Sequence, residues 1–199
     1  LNEAPLSVPA TAPEGLIVYT CFDGSVDQIC TIAADGTGQK QLTFGSTTAW
    51  YGSASLLLGE ILYSSREPGL FTIFRVGLDG EMKQAITSPL AGDSSPAYSP
   101  DGSQIVFTRV ENGRQRIWVM NRDGSAMRPL TDLPGNILDP TWSPDGQMIA
   151  FAYQAPGETG YQHRIIQVDG TKMQVLATSL EQVGGRSDWS PDGRWLAIY

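Results

Sequence analysis

Short apolar runs recur along the chain at a nearly constant interval: Ile17-Val18-Tyr19, Ile61-Leu62-Tyr63, Ile105-Val106-Phe107, Ile149-Ala150-Phe151 and Leu196-Ala197-Ile198. Successive runs begin 44, 44, 44 and 47 residues apart. A second ladder keeps the same order and period: Asp35-Gly36, Asp79-Gly80, Asp123-Gly124 and Asp169-Gly170. A third does so too: Leu42-Thr43, Ile86-Thr87, Leu130-Thr131 and Leu176-Ala177. Three ladders sharing one period define a tandem repeat. No segment between them sustains a 3.6-residue apolar period long enough for a helix.

The repeat at residues 96–131 shows the unit. Pro96–Ser99 is predicted as a short strand, Ser99-Pro100-Asp101-Gly102 as a turn, and Gln104–Arg109 as a second strand. Glu111–Arg114 is predicted as a loop, Arg116–Asn121 as a third strand, Asp123-Gly124-Ser125 as a tight turn and Met127–Thr131 as a fourth strand. Short, evenly spaced strands rich in Val, Ile, Trp and Phe predict an all-β protein. Four strands in about 44 residues, repeated, predict the antiparallel blades of a β-propeller. One four-stranded sheet leaves two apolar faces uncovered, and radial packing against its neighbours buries both.

The phrase Ser-Pro-Asp-Gly stands at residues 99–102, 143–146 and 190–193. Ser at the first position, Pro at the second and Gly at the fourth fit a type I turn closing a hairpin. The aspartate can accept bonds from nearby backbone amides, so these carboxylates are predicted to be turn residues rather than catalysts. The string Pro140 to Phe151, followed by an Asp-Gly turn and a Leu-Thr type strand, resembles the WD40-like PD40 repeat of TolB-like propellers. The resemblance covers roughly residues 16–199 and implies the propeller fold. Two departures stand out: Ser55-Leu56-Leu57-Leu58-Gly59-Glu60 replaces the first SPDG phrase, and repeat four carries an enlarged loop at 154–162. No match to the family's separate N-terminal α/β domain is present.

Blade counting leaves both ends incomplete. Leu16–Thr20 is a second-strand segment with no innermost strand before it, and Ser187–Ser190 followed by Trp195–Tyr199 supplies only the first two strands of a last blade. Family propellers of six or seven blades need about 260–310 residues at this period. Three readings are open: a piece of a larger propeller, a homo-oligomer whose chains complete each other's terminal blades, or a closed four- or five-bladed ring. Residues 1–15, rich in Pro, Ala, Ser and Thr, are expected to be a flexible linker ahead of repeats spanning 16–199.

The formal charge of −8 and pI near 4.5 argue against nucleic acid and anionic membrane as partners. No run approaches the roughly 18 apolar residues of a membrane-spanning helix. The two cysteines, Cys21 and Cys30, flank an Asp23-Gly24 turn signal. If a hairpin forms there they fall near one another. They could then form a cross-strand disulfide, which requires an oxidising, extracytoplasmic setting, or serve as two small core hydrophobes. Two thiols alone cannot complete a tetrahedral metal site.

A nucleophilic triad would have to use His163, the single histidine, and no Gly-x-Ser-x-Gly elbow accompanies it. No P-loop or dinucleotide fingerprint is present. The matched tyrosine and tryptophans, Tyr98, Trp118, Trp142 and Trp189, are expected between blades as core. Binding candidates sit just before the innermost strands, at one mouth of the central channel: Asp93, Ser95, Asp139, Arg186 and Asp188, with Ser95, Asp139 and Arg186 in equivalent register. No cofactor is expected, although Asp93, Asp139 and Asp188 could converge on Ca²⁺, which favours several oxygen ligands. The resulting expectation is a non-catalytic, extracytoplasmic scaffold for a protein or peptide ligand. The alternatives are the gating propeller of a prolyl-oligopeptidase-like hydrolase and a stand-alone glycan hydrolase or lyase with clustered channel carboxylates.

Overall fold

A computed structural model describes residues 15–66, 69–177 and 185–198. All regular structure among them is strand, arranged in five antiparallel sheets. The first sheet has three strands: β1 (Leu16–Phe22), β2 (Asp27–Ala33) and β3 (Lys40–Gln41). Three sheets have four: β4 (Ala49–Ser55), β5 (Glu60–Ser65), β6 (Thr72–Gly77) and β7 (Gln84–Ala85); β8 (Asp93–Tyr98), β9 (Gln104–Glu111), β10 (Arg114–Asn121) and β11 (Arg128–Pro129); β12 (Asn136–Trp142), β13 (Met148–Gln154), β14 (Gln162–Gln167) and β15 (Gln174–Ala177). A last pair, β16 (Ser187–Trp189) and β17 (Leu196–Ile198), ends the described chain. These are the blades that the period predicts. Among the described residues no helix is long and apolar enough to cross a membrane. The linker expected over 1–15 lies, apart from Gly15, outside the described residues.

The second strands of the three complete blades, β5, β9 and β13, are largely buried on both faces, and alternate side chains serve opposite neighbours. On β5, Ile61 and Tyr63 join a cluster with Ile29 and Leu42 of the first blade, whereas Leu62 joins Tyr98, Ile105 and Phe107 of the third. On β9, Ile105 and Phe107 face back to the second blade, while Val106 faces forward to Ile137, Trp142 and Phe151 of the fourth. The core is therefore a series of slabs between blades. That is why the period-2 pattern reads as continuous apolar runs rather than alternation. Trp142 also donates its indole N–H to the Ala97 carbonyl of the preceding blade (3.1 Å).

The ladders have local causes. In each SPDG turn the Gly amide donates to the Ser carbonyl, at 2.8, 2.9 and 2.9 Å, and the Gly lies at φ near +70°. The Ser hydroxyls of residues 99, 143 and 190 donate to Asp101, Asp145 and Asp192 at 2.6, 2.5 and 2.6 Å. Each hydroxyl also accepts an amide at the start of the following strand or one residue before it, as Ser99 does from Gln104 (2.9 Å). The Leu-Thr ladder exists because Thr43, Thr87 and Thr131 accept the buried amides of Ile29, Ile73 and Ile117 (2.8, 3.0 and 3.0 Å).

Some expected boundaries shift. The innermost strand of the third blade begins at Asp93, not Pro96, because Asp93 and Ser94 pair with Arg109 and Thr108 across a bulge. The predicted 111–114 loop contracts to a hairpin turn, with Asn112 and Gly113 both left-handed (φ 51° and 74°). The fourth strand of that blade keeps only Arg128–Pro129 in the ladder.

A closed ring is not formed by this chain. By register β1 and β17 both occupy the second-strand position, so the two open blades together hold five strands for four places. β16 pairs with β17, and no pairing joins it to β1 among the described residues.

Candidate functional site

Each of the three complete innermost strands is interrupted at one place. Pairing shifts between Trp50 and Ser53, between Ser94 and Ala97, and between Leu138 and Thr141. The first residue of each interruption is left-handed: Tyr51 (φ 60°), Ser95 (φ 50°) and Asp139 (φ 44°). None is glycine, and each such backbone costs on the order of 1 kcal/mol. A bulge of this kind turns one side chain out of the strand's alternation. The three residues are 44 apart, and Arg186 follows 47 residues after Asp139.

The bulges deliver these side chains to one recess of about 260 Å³ at the end of the channel, which Ser187 and Asp188 also line. The Ser95 hydroxyl donates to Asp139 Oδ1 (2.9 Å), and Arg186 Nε donates to Oδ2 (3.2 Å). The Arg186 guanidinium stands 5.4 Å from the centre of the Tyr51 ring, so it reaches across the channel from the last blade to the second. Burial, and then the Asp139 charge, push the Tyr51 phenol above its ordinary range, with Arg186 pulling the other way. The Arg186 side chain stays about half exposed. The Ser187 hydroxyl is buried with no hydrogen-bond partner among the described residues.

Four of the predicted residues thus line one recess, three of them bonded to one another, and Asp93 lies apart. Asp93 is wholly buried, and Arg109 grips its two oxygens at 2.6 and 2.8 Å. It is a cross-strand clasp rather than a mouth residue. Asp188 lines the recess but accepts only the neighbouring Trp189 amide (2.9 Å). The three aspartates do not fit a Ca²⁺ ion. Arg109 takes Asp93, Ser95 and Arg186 take Asp139, and no group of three or more metal-ligating side chains occurs among the described residues. Tyr51 escaped the sequence reading, although stepping one period back from Ser95 would have found it. The SPDG phrase is missing from that repeat, so nothing nearby fixed its register.

The SPDG and Asp-Gly carboxylates are engaged in their own turns. Serine or threonine bonds hold Asp35, Asp101, Asp123, Asp145, Asp169 and Asp192 below the usual carboxylate range, and backbone amides do the same for Asp23. The disulfide Cys21–Cys30 links β1 to β2 diagonally, with Cα atoms 5.8 Å apart, because Cys21 faces Gln28 and Cys30 faces Tyr19 in the register.

Radial four-stranded blades around a mouth whose residues differ at equivalent positions define a β-propeller protein with a tailored channel opening. The PD40 model, described as a TolB beta propeller domain, matches residues 60–199, and the chain belongs to this family. An Agrobacterium tumefaciens protein assigned as TolB superposes with a TM-score of 0.81 at 21% identity, over 92% of this chain and 70% of that one. TolB from Acinetobacter baumannii gives 0.80 at 20% identity, over 92% of this chain and 46% of that one. A puromycin hydrolase gives 0.68 at 16% identity, over 93% of this chain and 34% of that one. This chain therefore spans less than half of the A. baumannii protein. No curated protein matches it in sequence.

Proposed function

We propose that this chain is a non-catalytic interaction scaffold that binds a protein or peptide ligand at the channel mouth, outside the cytoplasm. The observation that carries the reading is the convergence of Tyr51, Ser95 and Asp139, through strained, non-glycine bulges of three blades, with Arg186 from just before the innermost strand of a fourth. Turn chemistry does not require those side chains, and glycine would hold the same backbone at less cost. The group offers a half-exposed cation, a phenol and an acceptor already ordered by its neighbours, which suits polar groups on an extended ligand. The Cys21–Cys30 disulfide supports an oxidising compartment.

The test is selection of peptides from a displayed library on the wild-type chain, followed by binding to Arg186→Glu and Asp139→Ala. The reading expects selected peptides to lose about tenfold or more in affinity for at least one variant. Equal binding to both variants would refute it. A second reading, the accessory propeller of a larger hydrolase, draws on the likeness to the puromycin hydrolase. It expects the gene to encode a catalytic domain fused to this segment.

A further inference from the structure

The turns that join innermost to second strands lie past the far ends of β8 and β12, away from the mouth. Between those of the third and fourth blades runs a groove of about 370 Å³, walled by Pro100, Gln104, Trp142 and Pro144, with Asp101 from one turn and Asp145 from the other. Two complete four-stranded blades form it, and it shares no lining residue with the mouth recess. Bonds within their own turns hold both carboxyls below the usual range, so both are charged at neutral pH. Neither has a cationic partner among the described residues, and no arginine or lysine lines the groove. Asp192, in the same register one blade on, differs: Arg194 of its own turn donates to it at 2.7 Å.

The seam one blade earlier shows how the fold satisfies such a space from within. Leu58 stands there 44 residues before Gly102, in its register, and is partly buried against Tyr98 and Ile105. It comes so close to the next turn that a Cβ on Gly102 would stand 2.9 Å from Leu58 Cδ1. Glu60 holds the position of Gln104, and Arg122 donates to it at 2.8 Å. The Arg122 amide bonds the Ser103 carbonyl as the Val168 amide bonds that of Gln147, so Val168 is the counterpart of Arg122 one blade on. At the seam between the third and fourth blades, glycine therefore replaces the filling leucine and valine replaces the arginine. The carboxylates remain, with neither filler nor cation from the chain itself.

We infer that this groove takes an arginine side chain of a partner polypeptide, its guanidinium between Asp101 and Asp145 and its stem against Pro100, Trp142 and Pro144. Charge complementarity selects the occupant, since two carboxylates face apolar rings with no cation between them. Arginine suits the place better than lysine, because its flat fork offers donors to both carboxylates at once and lies against ring faces. The formal charge of −8 draws a basic partner from a distance as well. The site is independent of the mouth ligand.

The probe is acetyl-arginine amide, titrated onto the full 199-residue chain and read by NMR shifts of backbone amides and indoles, with acetyl-lysine amide in parallel. The inference expects saturable shifts at Gly102, Ser103, Gly146 and the Trp142 indole, with arginine binding about threefold or more tighter than lysine. Asp145→Asn keeps the acceptor that its turn needs and should weaken arginine binding about threefold or more. Asp192→Asn makes the same change where Arg194 already supplies the cation, and should leave binding unchanged. Gln104→Glu introduces the acid that Glu60 places in the earlier seam, and should tighten binding about threefold. Absence of saturable shifts at these groups, equal binding of arginine and lysine, or a loss no greater in the Asp145 variant than in the Asp192 variant overturns the inference. Shifts confined to Tyr51, Ser95 and Asp139 overturn it while supporting the mouth reading. Shifts at the groove that follow protein concentration without probe overturn it in favour of a second copy.

Discussion

Glu60 is the strongest single test of how the blades are held together. It opens β5 where repeats three and four have Gln104 and Met148, and its side chain is only 8% exposed. Its two oxygens are used across the blade boundary: Tyr98 donates to Oε2 at 3.0 Å and Arg122 Nη2 to Oε1 at 2.8 Å. Arg75 approaches from its own blade at 4.0 Å. Burial first, and then Glu60, push the Tyr98 phenol well above its ordinary range. Glu60→Gln keeps the shape but removes the charge and faces one donor with another donor. A buried hydrogen bond to a charged group contributes about 1.5–3 kcal/mol. Arg122 is 39% exposed and can rehydrate, so its share is discounted, whereas Tyr98 cannot. The expected loss is about 2 kcal/mol, or a fall of roughly 4–8 °C in Tm for a chain of this size. Urea unfolding followed by tryptophan fluorescence measures it, and a double-mutant cycle with Tyr98→Phe isolates the pair, with an expected coupling of about 1 kcal/mol. A loss below about 0.5 kcal/mol, or strict additivity in the cycle, would show that the pair does not join the blades.

Three further outcomes are expected. Thr131→Val keeps the side-chain volume but strips the acceptor from the buried Ile117 amide, and should cost about 1–3 kcal/mol in urea unfolding. Ala126→Gly relieves a left-handed residue (φ 51°) after the Asp123-Gly124 turn and should stabilise by about 0.5–1 kcal/mol, whereas Ala85→Gly in β7 should not. The depressed carboxyls of Asp23, Asp35, Asp101, Asp123, Asp145, Asp169 and Asp192 contribute stability that is fully present above their unfolded value of 3.8 and lost as pH falls through the lower folded values. Their contribution to Tm should therefore be flat above about pH 5 and decline below pH 4, and carboxyl titration by NMR should place these seven aspartates below the ordinary aspartate value.

What the sequence made legible has a physical boundary. Gly102, Gly146 and Gly193 must be left-handed, and Asp101, Asp145 and Asp192 bond residues two positions away. Such constraints are local, so they repeat with the period and can be read without coordinates. The mouth was legible only in part. Equal spacing located Ser95, Asp139 and Arg186, but it could not show that Asp93, two residues from Ser95, is consumed by Arg109, because that depends on strand pairing across a bulge. Glu60 and Arg122 are 62 residues apart and belong to different blades, so no periodic signal joins them. A repeat maintains its fold through what recurs at each step. Chemistry used once must therefore lie where equivalent positions disagree: Tyr51, Ser95, Asp139 and Arg186 in one register, and Glu60, Gln104 and Met148 in another. The first set lines an open recess, whereas Glu60 of the second closes a seam. Burial, rather than sequence spacing, separates an open recess from a blade joint.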